Sequence, residues 1–175
     1  LVFILGLTYG AIVGQRDVSR IRFSPGDWAA WRNALLFTLG VIACLLLYRL
    51  AMQPDYPLRW PEPNKIMRYG AWAIFQQWLL NRVLAREALR LTHGQQVLAA
   101  AIVAVLFGLL HTPNFALMCA TCIGAFVWIQ LYFKRPYVLP LALSHVTLSV
   151  FLIALTPPWV VRNAEIGARF FMPPL

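Results

Sequence analysis

"YVLPLALSHVTLSVFLIALT", residues 137–156, runs for twenty residues without an Asp, Glu, Lys or Arg. At about 1.5 Å of rise per residue such a helix covers about 30 Å, the thickness of a bilayer's hydrocarbon core. The stretch therefore predicts a transmembrane helix. The polar residues that interrupt it include His145 and Ser149, whose spacing of four puts them on one face. Working outward, the same reading of apolar length and helix breakers predicts further helices at 1–14, 34–52, 68–91, 96–111 and 115–133. The expected fold class is all-α, a polytopic transmembrane bundle of six helices in a single membrane domain over 1–175. The short first run is read as a truncated first helix and 157–175 as a tail. Residues 14–33 are read as a connection with an interfacial amphipathic piece, and 53–65, with four prolines, as an extended one.

Composition agrees with this reading: 61% of residues are hydrophobic and 12% charged. The net charge is +9, but the basic residues sit at the ends of apolar runs rather than on one face, which marks topology and lipid headgroup contact. The bilayer is the implied partner and nucleic acid is not. Arg16, Arg20, Arg22, Arg32, Arg86, Arg90, Lys134 and Arg135 fall on one side; Arg49, Arg59, Lys65, Arg68, Arg162 and Arg169 fall on the other. By the positive-inside rule the first group faces the cytoplasm, and the expected location is a bacterial inner (cytoplasmic) membrane. Cys44, Cys119 and Cys122 all lie in apolar runs, where a thiol packs as a small hydrophobe.

Polar side chains at membrane depth are costly unless paired or lining a cavity, so they form the list of functional candidates. Helix 68–91 contributes Gln76, Gln77, Asn81 and Arg82, helix 96–111 ends in His111, and helix 137–156 contributes His145 and Ser149. From the rise per residue, Gln76, His111 and His145 all fall about 8–18 Å below the outer surface, so three helices are expected to meet in one polar layer.

"FGLLH" at 107–111 followed by "TPN" resembles the FxxxH motif of the CPBP family of intramembrane proteases, which includes the type II CAAX prenyl endopeptidases. "LPLALSHVTLS" at 139–149 is similar to that family's last motif, a His followed four residues later by Asn. "QQWLLN" at 76–81 occupies the place of its EExxxR motif, and the resemblance covers 34–156. It implies an endopeptidase acting on a membrane-embedded or lipidated peptide, without a cofactor. In the family the first Glu activates water, and the histidines and Asn stabilise the oxyanion. Carried over, Gln76 stands at that Glu, Gln77 at the second Glu, Asn81 at the Arg, His111 and His145 at the histidines, and Ser149 at the Asn. Gln76, His111, His145 and Ser149 are thus the implied catalytic positions, and Gln77, Asn81 and Arg82 the supporting polar layer.

The substitutions change the chemistry. Gln77 and Asn81, four apart, can hydrogen-bond as two amides where the motif has an ion pair, and replacing both charges leaves no orphan. Gln76 cannot accept a proton near neutral pH. Glu87 lies about 16 Å further along the helix and is expected to pair with Arg90 instead. His111 or His145 remains as the titratable base. Catalytic zinc would need a third ligand that only an inward-turned Cys119 or Cys122 could supply, so no metal is expected. Two readings of the site stay open: a histidine-centred endopeptidase, or an inactive relative that binds a hydrophobic peptide or lipid in the retained cavity. A small transporter is a third, and the lack of an intramembrane carboxylate argues against it.

Overall fold

The computed structural model describes residues 25–171, and the expected helix at 1–14, with Arg16, Arg20 and Arg22, lies outside them. The first described helix, α1 (Trp28–Met52), starts six residues earlier than the apolar run suggests. Asp27 is the reason: its carboxylate accepts the Ala30 N–H at 2.8 Å and caps the helix, so 28–33 join α1 rather than an interfacial connection. Arg135 reaches the same carboxylate at 3.1 Å and ties the start of α1 to the turn before the last long helix.

The second helix, α2, also starts early, because Pro63 occupies its first turn, where a missing N–H costs nothing. It runs as α-helix over Pro63–Trp78, as a π-helical turn over Leu79–Leu84 and as α-helix again over Ala85–Leu91. Its end is closed by Gly94, at φ +86°, whose N–H reaches the Leu89 carbonyl at 2.8 Å. Then follow α3 (Gln96–Leu109), α4 (Phe115–Lys134), α5 (Val138–Leu155) and the single turn α6 (Pro158–Val161).

His111 therefore does not end a helix as expected but sits in the turn after α3. Pro113 disfavours helical geometry just before it, and the chain tightens through His111 N–H to the Gly108 carbonyl and Thr112 N–H to the Leu109 carbonyl. Asn114 then caps α4 through Leu117 N–H (3.2 Å), and its amide donates to the Val161 carbonyl at 2.7 Å, anchoring the chain after α5.

Helix α5 is the hub, packing on both α1 and α2, while α3 packs chiefly on α4. The buried faces are built from small residues, including Ala73, Ala85, Ala99, Ala100, Ala125 and Ala142, each at most 1% exposed. Large aliphatics face outward, with Leu36 at 62%, Leu47 at 66% and Leu50 at 68%. Close backbone approach inside and leucine outside is the arrangement a lipid solvent favours. Among the described residues three helices, α1, α4 and α5, are long and apolar enough to cross a membrane, with α3 shorter. The molecule is an all-α membrane bundle, and among the described residues there is no strand.

Gly108 marks the tightest crossing. A Cβ there would lie 2.9 Å from the Met118 carbonyl oxygen and 3.0 Å from Cys122 Cβ, whereas one on Gly40 would meet nothing within 4 Å. Gly108→Ala should lower stability by about 1–3 kcal/mol through overpacking. Gly40→Ala should raise it by about 0.5–1 kcal/mol. Unfolding of the two variants side by side in detergent checks the contrast.

Candidate functional site

The polar layer begins with a ridge on α2. Tyr69, Ala73, Gln77 and Asn81 follow one another at spacings of four, and the last three are at 0% exposure. Successive fourth residues form the ridge that packs into a neighbouring helix, here α5. Asn81 Nδ2 donates to Gln77 Oε1 at 2.7 Å and to the Gln77 main-chain carbonyl at 3.0 Å. The two amides thus join as their spacing suggests. Asn81 and Arg82 both lie in the π-helical turn, a local widening that recurs at functional sites.

Gln77 Nε2 sits 3.2 Å from His145 Nδ1 on α5. On the other side of the imidazole, His145 Nε2 is 3.0 Å from Tyr69 Oη, which is 2.9 Å from Ser149 Oγ. Asn81, Gln77, His145, Tyr69 and Ser149 form one continuous chain of hydrogen bonds between α2 and α5. His145 is buried at 3% exposure, with the Trp128 ring tilted over it at 4.7 Å between centroids. Trp128 Nε1 is held in place by Ser144 Oγ at 3.1 Å, and that hydroxyl meets Thr38 Oγ1 of α1 at 2.8 Å.

His111 stands apart from this chain but close to it. Its Nδ1 lies 2.8 Å from the Phe107 carbonyl and 3.3 Å from Thr121 Oγ1. The Phe107 ring packs between the histidines, 5.0 Å from His111 and 6.4 Å from His145. A carbonyl only accepts, so His111 Nδ1 carries the hydrogen and, in the neutral ring, Nε2 carries the lone pair. Nε2 has no hydrogen-bond partner among the described residues.

The two neighbouring glutamines diverge. Gln77, at the second glutamate position, touches His145; Gln76, at the first, is partly buried, and its Oε1 is shut from solvent with no hydrogen-bond partner among the described residues. Gln76 is seven residues after Tyr69, which places it within about 20° of the same helical line and about 10 Å along the axis. Arg82 is half-buried beside Asn81 and engages other groups. Glu87 pairs with Arg90 at 3.7 Å, as its spacing suggests. Cys119 is exposed, Cys122 packs by Gly108, and no three His, Cys, Asp or Glu side chains gather among the described residues.

Tyr69, Trp128, Ser144 and Thr38 do not emerge from a list of polar residues at membrane depth. Tyr and Trp pass as interfacial or core aromatics, and single hydroxyls are common in membrane helices. The one signal for Tyr69 is its place on the ridge with Ala73, Gln77 and Asn81.

Residues 69–151 match the model of the type II CAAX prenyl endopeptidase Rce1-like family. The match begins at Tyr69, ends two residues beyond Ser149 and contains every position of the polar layer except Thr38. It bears out the resemblance drawn from FxxxH and its companion motifs. No curated protein and no solved structure matches the chain.

Proposed function

We propose that this CAAX-protease-like membrane protein is an intramembrane endopeptidase, cleaving an amide bond of a membrane-embedded or lipidated peptide. The observation that carries the reading is the orientation of His111. Its Nδ1–H is committed to the Phe107 carbonyl, which leaves Nε2 as a base with an open lone pair. Water attacking the scissile carbonyl gives its proton to His111 Nε2, and the same proton passes to the departing amine as the C–N bond breaks. Hydrogen-bond donors from the His145, Tyr69 and Ser149 side stabilise the oxygen that becomes negative. The test is purified full-length protein in detergent with a library of quenched transmembrane peptides. Cleavage is expected, with a loss of about 100-fold in His111→Ala. Cleavage unchanged in that variant refutes the role.

A second reading is favoured by a different observation. Gln76, Gln77 and Asn81 are neutral amides, and no carboxylate is bonded to the layer among the described residues. On that reading the bundle holds a hydrophobic peptide or lipid without hydrolysing it. Peptide binding with no cleavage in the same experiment selects it.

A further inference from the structure

The hydrogen-bond chain from Asn81 to Ser149 has a direction, and one amide sets it. Asn81 is bonded to the main-chain carbonyl of Gln77, an obligate acceptor, so the atom facing it must be Nδ2 and not Oδ1. The second hydrogen of the same Nδ2 goes to the Gln77 side chain, which must present Oε1. Gln77 therefore turns Nε2, a pure donor, toward His145 Nδ1. A nitrogen that accepts carries no hydrogen, so neutral His145 is protonated at Nε2 and donates to Tyr69 Oη. Either hydroxyl could donate across the 2.9 Å Tyr69–Ser149 contact; the phenol is the more acidic and so the better donor, and we assign its hydrogen to Ser149 Oγ. The hydrogen of Ser149 has no acceptor among the described residues.

We propose that the Asn81–Gln77 pair fixes His145 as an Nε2–H donor, and that Tyr69 is a positioning residue relaying this polarity to Ser149, which offers its hydroxyl hydrogen to a peptide carbonyl. This deepens the endopeptidase reading and rests on it for the identity of the ligand, but the tautomer itself does not depend on cleavage. The histidines then have opposite characters: His111 presents a lone pair at Nε2, and His145 presents a hydrogen at its own. One is arranged to take a proton and the other to feed a donor toward an oxygen.

The direction hangs on one group. With a carboxylate in place of the Gln77 amide, both oxygens accept. Asn81 Nδ2 would still donate to one, and His145 Nδ1–H would donate to the other. His145 Nε2 would become an acceptor for Tyr69, Tyr69 for Ser149, and the outer end of the chain would present a lone pair. Exchanging NH2 for O⁻ at one position would thus reverse three hydrogen bonds along the chain.

The chain contains three histidines, His93, His111 and His145. Histidine-selective ¹⁵N labelling of the full-length protein in detergent resolves them, with single His→Gln variants for assignment. In the wild type, His145 is expected to show a protonated-type Nε2 and an unprotonated-type Nδ1, and His111 the reverse. Gln77→Glu should exchange the two signals of His145 and leave those of His111 in place. Tyr69→Phe, which keeps the Gln77 contact, should leave His145 protonated at Nε2. A wild-type His145 protonated at Nδ1 overturns the proposal, as does a Gln77→Glu spectrum identical to wild type. Loss of the tautomer preference in Tyr69→Phe shows that direction is set from the tyrosine end and overturns it as well. The expected spectra together with no peptide cleavage would sink the endopeptidase reading alone.

Discussion

Gln77→Leu should destabilise the bundle by about 2–6 kcal/mol, more than any other conservative change in the polar layer. The substitution strands two groups at once: one Asn81 Nδ2 hydrogen and the His145 Nδ1 lone pair, on side chains at 0% and 3% exposure. Each buried polar group left without a partner costs about 1–3 kcal/mol, which gives the range. Asn81→Ala strands mainly Gln77 Oε1 and should cost about 1–3 kcal/mol. In the double variant the amide pair disappears as a unit, and His145 Nδ1 is the main orphan. The double should therefore be no less stable than Gln77→Leu alone. The coupling between the sites should then be at least the cost of Asn81→Ala, about 1–3 kcal/mol. Unfolding the four proteins in mixed detergent measures it. Strict additivity would mean that the amides do not act as a pair, and would also remove the anchor from the tautomer argument.

The same residues show which parts of the molecule a sequence can convey. Helix interiors were legible, because a bilayer demands about twenty apolar residues and α4 and α5 end within two residues of their expected bounds. Starts were less so: α1 and α2 begin earlier because Asp27 and Pro63 act through capping and first-turn geometry rather than through apolarity. Contacts within one helix were also legible, since spacing alone brings Gln77 to Asn81 and Glu87 to Arg90. Contacts between helices were legible only as a shared depth. That reading put Gln76 in one layer with His145, whereas the glutamine that meets the imidazole is Gln77. The choice falls to Gln77 because it continues the ridge of Tyr69 and Ala73 packed on α5. The π-helical turn is beyond sequence, since "LLNRVL" has helix-forming residues throughout and only tertiary packing selects the wider turn.

Gln76→Glu should increase peptide cleavage, by less than the about 10²–10⁴-fold that a positioned general base contributes in full, because His111 already supplies one. The change replaces one NH2 by an oxygen at nearly constant volume, so packing gives little reason for it to fail. Gln76 lies along the line of Tyr69, whose hydroxyl bonds both His145 and Ser149, so a carboxylate there would share the face that opens onto the donors. Its Oε1 has no hydrogen-bond partner among the described residues, so no observed hydrogen bond of that oxygen must break to admit the charge. The variant also separates two roles for His111. Where the introduced carboxylate takes the water proton, His111→Ala in the Gln76→Glu background should retain more of its activity than His111→Ala does in the wild type. His145→Ala should remain damaging in both, because donors to the developing oxyanion are needed whichever group acts as base. Equal losses from His111→Ala in the two backgrounds would place His111 outside the proton transfer. It would then be a structural partner of the Phe107 turn, and the case for hydrolysis would rest on the carboxylate alone.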